Sequence, residues 1–279
     1  MKLYIVLFVF LFCCCRQAFA QPGIYDSKTK QPIEYARILV KSRAFGTSTN
    51  EQGKFPLKGI KEADTLTISA THYTVKKVAY TKTIDSIFLT STIAIHPAVQ
   101  LESQKGGAVK ERWIIEKEEL SEAYMLYEID DQIAGQYFTP RQVYKDYPYL
   151  KGLSIRMFST KKKQCVNVII RAVAKDGKPG DYVYDKNILC EVKEDGPHVM
   201  HIDLTRQKIQ LPPDGFFISF EKVVRKRSDT KSLVYISTTL NPVPGNPKYS
   251  VYTMRADESG FKWIDYKNYT VMIELELGN

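Results

Sequence analysis

Apolar and polar positions alternate over short runs along most of this chain, with turn residues between the runs. A period of two marks half-buried strands, and its close repetition predicts sandwich or barrel architecture. Asp64-Thr65-Leu66-Thr67-Ile68-Ser69-Ala70 is the cleanest case, with Leu66, Ile68 and Ala70 inward and Thr65, Thr67 and Ser69 outward. Ala36, Ile38 and Val40 share a face before it, and Val75, Val78 and Tyr80, then Ile84 to Leu89, follow it. Gly53 after Asn50-Glu51-Gln52 supplies a residue that enters the left-handed region without a Cβ penalty. Further on, Leu153–Phe158, Val166–Val173, Ile188–Val192, His198–Leu204, Phe216–Val224, Leu233–Thr239 and Tyr269–Leu277 read as strands, with a turn cluster at Asp176–Gly180. Gln104-Lys105-Gly106-Gly107 reads as a linker. Val109 to Ile133 is the one stretch that reads as helical or irregular, and its Glu-Lys-rich part, Glu116 to Glu122, as a solvated connector or short helix. The fold class expected is all-β: one β-sandwich over residues 21–101, a connector over 102–130 and a second sandwich over 131–279.

The start of the chain is different. Met1-Lys2 is a short basic region, Leu3 to Cys15 an apolar core, and Ala18-Phe19-Ala20 a small-x-small pattern before Gln21. Residues 1–20 therefore read as a cleavable export signal, too short to span a bilayer comfortably and broken by Arg16-Gln17. The large Phe12 before Cys13 fits lipoprotein processing poorly. Cleavage removes Lys2 and Arg16 and takes the formal charge from +9 to +7. No later segment is apolar enough for a membrane helix. Cys165 and Cys190 remain, and export permits a disulfide. Strand alternation instead puts Cys190 on an apolar face and Cys165 with Asn167 and Arg171 on the polar one, which favours two free thiols.

Several turn residues recur in an order that carries a resemblance. Gly23 and Asp26, Pro32 and Ala36, Gly46-Thr47 with Thr49-Asn50, Gly53-Lys54-Phe55, and Leu66-Thr67-Ile68-Ser69 before His72-Tyr73 resemble the carboxypeptidase-regulatory-like domain. The resemblance implies a transthyretin-like Greek-key β-sandwich of Gram-negative, Bacteroidetes-type envelopes, an accessory domain and not a peptidase. His72 stands where that family normally has glycine. Residues 131–279 are similar to a jelly-roll-like β-sandwich of envelope proteins, through Gly135-x-Tyr137-Phe138, Asp176-Gly177-Lys178-Pro179-Gly180, Ile202-Asp203-Leu204 and Leu211 to Ile218. That likeness conveys architecture only.

Candidate chemistry is sparse. There is no His-Glu-x-x-His, Cys-x-x-Cys, Gly-x-Ser-x-Gly or phosphate loop. His198 and His201, three apart on a strand, point to opposite faces and do not converge on one metal ion. His201 and Asp203 share a face, without a nucleophile at a recognisable spacing. No catalytic residue, metal or cofactor is expected. Two basic runs, Lys161-Lys162-Lys163 and Arg225-Lys226-Arg227, read either as wet hairpin tips or as contacts to anionic lipid or polysaccharide. Export disfavours nucleic acid, and interleaved aromatics are missing from both runs. Trp263, Tyr266 and Tyr269 read either as a sugar-stacking platform or as a plug over the core. Tyr144, Tyr147 and Tyr149 around Pro148 read as an exposed loop or as packing over the sandwich edge. The leading expectation is a non-enzymatic, periplasmic or outer-membrane-associated scaffold whose partner is an envelope protein or a polysaccharide. A glycan-binding protein using the second sandwich is the alternative, and a hydrolase with a non-obvious site a remote one.

Overall fold

A computed structural model describes residues 21–40, 45–92, 124–129, 132–225, 231–240, 251–256 and 261–279 of the chain. The export signal, the Gly106-Gly107 linker, Trp113, Asp130-Asp131, Lys226 and Arg227 lie outside the described residues. Among the described residues no helix is long and apolar enough to cross a membrane. The fold is all-β, built as two sandwiches.

In the first sandwich, β1 (Gly23–Asp26) pairs in parallel with β6 (Ser86–Leu89). Facing them is a four-stranded sheet in the order β3 (Phe45–Ser48), β2 (Arg37–Val40), β4 (Thr65–Ser69), β5 (Lys76–Ala79). Ile24, Ile38, Val40, Phe55, Leu66, Ile68 and Leu89 form the core between them. Each such side chain, fully buried, contributes roughly 1.5–3 kcal/mol.

Local polar contacts explain the recurring turn residues. Asp26 Oδ1 accepts the backbone N–H of Lys28 and of Thr29, both at 2.7 Å. The bond from Thr29, with help from Lys28 and Tyr73, holds the Asp26 carboxyl below its ordinary value despite desolvation. Burial and the Asp26 charge push Tyr73 up to about 12. Thr49 Oγ1 donates to the Ile33 carbonyl at 2.7 Å and accepts from Ala36 N–H at 2.8 Å. Asn50 Oδ1 accepts from Gln52 N–H at 3.0 Å and Lys54 N–H at 2.8 Å, closing the turn around Gly53.

The second sandwich starts earlier than the sequence suggests. Tyr124–Glu128, within the stretch expected to be helical or irregular, is a strand (β7), and Ile129 after it lies fully in the second core. Backbone pairing with a long partner strand overrides the weak local pattern there. One sheet runs β11 (Pro179–Tyr182), β10 (Cys165–Val173), β15 (Phe216–Val223), β8 (Ile133–Phe138), β17 (Val251–Ala256), β18 (Phe261–Tyr266), with β12 (Ile188–Glu191) also on β10. The other runs β13 (Gly196–Asp203), β9 (Tyr149–Ser159), β16 (Val234–Leu240), β19 (Tyr269–Val271). In it β14 (Ile209–Gln210) and β20 (Ile273–Gly278) pair with β9, and β7 with β16. The inner faces meet over Ile155, Met157, Val166, Val168, Ile170, Phe216, Ile218 and Phe220, as in other aligned sandwiches. A short helix, α1 (Val143–Asp146), precedes β9, and its Tyr144 is buried in this core with Tyr147 packed against it. Tyr144 and Tyr147 thus cover the sandwich edge.

Candidate functional site

The first sandwich is docked on the second through sheet faces that the sequence pattern assigns to solvent. Arg37, Leu39 and Thr67 point away from the first core and are nevertheless buried. Asn167, Ile169, Ser219 and Glu221, pointing away from the second core, are buried as well. An Arg37 guanidinium nitrogen lies 4.0 Å from Glu221 Oε2 with both side chains largely out of water. Asn167 Nδ2 donates to Glu221 Oε1 at 3.1 Å and to Asn187 Oδ1 at 3.2 Å, and its own Oδ1 accepts from Ile188 N–H at 3.0 Å. The Thr71 hydroxyl donates to Asn187 Oδ1 at 3.4 Å, and Val224 N–H donates to the Ser48 hydroxyl at 3.4 Å. The space beside Thr71, Ile169, Tyr182 and Tyr184 has no room for a water molecule. This is a packed seam.

His72 occupies the turn between β4 and β5 with φ +67°, the left-handed conformation that makes glycine the easy choice there. Its ring lies 4.3 Å from that of Tyr182, and its Nε2 is 3.2 Å from the Tyr184 carbonyl. Burial, and secondarily Arg171, lower the His72 pKa against the opposing pull of Tyr184 and Asp185. The Arg171 guanidinium sits 3.8 Å from the Tyr182 ring centroid and 5.9 Å from that of Trp263. A row His72–Tyr182–Arg171–Trp263 therefore runs from the first sandwich to the edge strand β18.

Trp263 does not join Tyr266 and Tyr269 in one platform. Tyr266 pairs with Val251 and packs on the core, as does Tyr269. Trp263 and Asp265 occupy the opposite face of β18. There Tyr137 stacks on Phe217 at 4.8 Å, and Tyr252 meets Phe217 edge-on at 4.9 Å. Burial, and then a hydrogen bond to Asp265, push the Tyr252 hydroxyl up to about 12. Asp265 Oδ1 and Arg171 Nε are buried and have no hydrogen-bond partner.

Arg225, the described residue of the second basic run, reaches the first. Lys161, Lys162 and Lys163 are exposed in the turn between β9 and β10, and an Arg225 guanidinium nitrogen donates to the Lys163 carbonyl and to Glu191 Oε2, each at 3.0 Å. On the far sheet, His198 turns inward and His201 outward. His201 Nδ1 lies 2.8 Å from Ser154 Oγ, and Asp203 Oδ1 accepts from Thr205 N–H at 2.9 Å. His201 of that pair is exposed on the outer sheet face, and Ser154 is buried beside it. Among the described residues no three His, Cys, Asp or Glu side chains gather as metal ligands. Neither Cys165 nor Cys190 is in a disulfide. Cys190 pairs with Val166, one register position from Cys165, so the two thiols leave opposite faces.

Residues 23–98 match the family model described as the CarboxypepD_reg-like domain. In this regulatory-like domain, Asp26, Thr49, Asn50 and Gly53 are the turn-holding residues, and His72 and Ser48 reach the second sandwich. No curated protein matches the chain. Among solved structures, the cysteine protease and lectin-like domains of Cwp84, a surface layer associated protein of Clostridium difficile, share 11% identity over 56% of this chain and 36% of that one, at a TM-score of 0.37. The infectious bursal disease virus Gt strain structure shares 8% identity over 88% of this chain and 59% of that one, at a TM-score of 0.26. The chain thus spans less than two thirds of either structure, and similarity at this level carries no argument about function.

Proposed function

We propose that this is a non-enzymatic exported protein of the Bacteroidetes-type envelope, periplasmic or outer-membrane-associated, acting as an interaction scaffold. On this reading the second sandwich is a jelly-roll-like module and the regulatory-like domain is its accessory. The observation that carries the proposal is the seam. Outward side chains of both sheets are spent on fixing the two sandwiches together. A body of fixed shape whose basic tip unites Lys161–Lys163 with Arg225 is suited to positioning partners at an anionic envelope surface.

A photo-crosslinking residue at Lys162, in cells expressing the chain, tests this. Discrete adducts with an envelope component, in the exported fraction, are expected. A chain that stays in the cytoplasm, or one that turns over ester or glycoside substrates and loses this on His201→Ala, contradicts the proposal.

A further inference from the structure

The first sandwich turns its four-stranded sheet to the seam, which leaves its two-stranded sheet on the side away from it. Alternation along β1 and β6 sends Ile24, Ile87 and Leu89 into the core, while Tyr25 and Phe88, paired in register, stand on the open face. Their ring centroids are 6.0 Å apart, and Phe88 is 37% exposed. The Tyr25 ring lies over Gly23, where a Cβ would come within 2.6 Å of the Tyr25 hydroxyl oxygen. An ammonium group covers each ring, Lys30 Nζ at 4.5 Å from the Phe88 centroid and Lys54 Nζ at 5.4 Å from that of Tyr25. Lys28 is exposed in the turn after β1, and Lys76 Nζ donates to the Phe88 carbonyl at 2.9 Å. Lys30 is held at φ +61°, an uncommon conformation for a lysine, and its ammonium also donates to the Ser27 carbonyl at 2.7 Å. Among the described residues no carboxylate forms an ion pair with any of these four lysines. Asp26, next to them in sequence, is buried with its Oδ1 turned to backbone N–H groups, and Asp85 flanks the opposite end of β6.

We propose that this face docks on a bilayer surface carrying anionic phospholipid headgroups, with Phe88 and Tyr25 at the headgroup boundary and the four lysines on the phosphates. Charge complementarity commits the face to an anion, since four ammonium groups without a carboxylate partner surround two rings. The rings separate a bilayer from other polyanions. An acidic polysaccharide would stack on open ring faces, yet here each ring already carries an ammonium group. An acidic peptide would pair with the lysines and leave Phe88 in water. At a bilayer boundary both halves of the patch are used. Aromatic rings settle at headgroup level there, and lysine stems lie along apolar matter while their ammonium groups reach phosphate. All six side chains are exposed or half-buried, and a two-stranded sheet offers a flat partner a flat face.

Co-sedimentation of the chain from Gln21 onward with vesicles tests this, using phosphatidylcholine alone and phosphatidylcholine mixed with phosphatidylglycerol, beside a pull-down on polygalacturonate beads. Saturable binding to the phosphatidylglycerol vesicles is expected, with none to phosphatidylcholine alone, and it should weaken as salt rises. Losing one lysine at an anionic surface costs about fivefold, so Lys30→Gln with Lys54→Gln should weaken binding at least about tenfold. Phe88→Ser, which leaves the charge unchanged, should weaken it as well. The lysine variant removes no core contact, so it keeps the test decisive where Phe88→Ser lowers stability. Three results overturn the docking face: no binding to phosphatidylglycerol vesicles by a natively folded chain, binding to polygalacturonate in place of vesicles, or vesicle binding indifferent to the lysine variant, which would belong to the Lys161–Lys163 tip. None of them touches the scaffold proposal, which rests on cross-linking at Lys162.

Discussion

At the scale of single residues, His72 links backbone strain, electrostatics and assembly. A non-glycine residue at φ +67° is strained, and its reward is the Tyr182 ring and the Tyr184 carbonyl. His72→Gly should relax the turn and yet loosen the seam, so that amide exchange rises around Tyr182–Asn187 while the first core keeps its protection. Because the folded pKa of His72 is lowered, stability is fully present above the unfolded value near 6.5. It should fall as pH drops through 6.5, where the unfolded chain takes up the proton first, and level off once the folded imidazole also protonates. Urea titrations between neutral and mildly acidic pH measure this, and His72→Gly should flatten the profile. Gly53 is the opposite case. At φ +68°, a Cβ there would lie 2.7 Å from the Ile24 carbonyl oxygen and 2.9 Å from Pro32 Cβ. Gly53→Ala should destabilise by about 2 kcal/mol, read from chemical denaturation.

At the scale of elements, strand positions were largely legible, because alternation survives wherever one face is wet. Thr65–Ser69 and Cys165–Val173 fall where their patterns put them. The outward side of those same strands was misjudged: Thr67 is buried against expectation. A signal was present in Ile38-Leu39-Val40, Val168-Ile169-Ile170 and Phe216-Phe217-Ile218, unbroken apolar triplets that mark strands covered on both faces. Short runs of this kind are indistinguishable from ordinary cores until the second layer is seen. Among the site residues, Trp263 and Tyr266 looked alike as aromatics of one segment. Their separation by three residues on a strand sends them to opposite faces, and only the register shows which face holds the core. The cysteines follow the same geometry. Burial, with Cys165 adding, pushes the Cys190 thiol up to about 12. Both cysteines should stay reduced in the folded chain and resist alkylation until it is denatured, as intact-mass measurement can show.

At the scale of the whole molecule, the seam makes two sandwiches one body. Glu221→Ala removes the Arg37 ion pair and the acceptor of Asn167 Nδ2 together, so it should destabilise by about 3 kcal/mol, whereas Arg37→Met with Glu221→Met should cost far less. Loss of the two-domain shape in solution scattering by Glu221→Ala, with each core still folded, would place that cost in the seam. The second sandwich has a further property, set by how β9 is flanked. Val234–Ile236 of β16 pairs with its C-terminal part, and β20 with its N-terminal part, where Ile273 meets Ile155 and Gly278 meets Tyr149. The sheet is thus completed by a strand synthesised long after its partner, a non-local arrangement of the sort that folds slowly. A nascent chain lacking β20 has an unzipped central strand and no slots filled by Leu275 and Leu277. Such a chain should keep one side of β9 unpaired along its N-terminal part until β20 has been made, leaving that edge open to solvent in the interval.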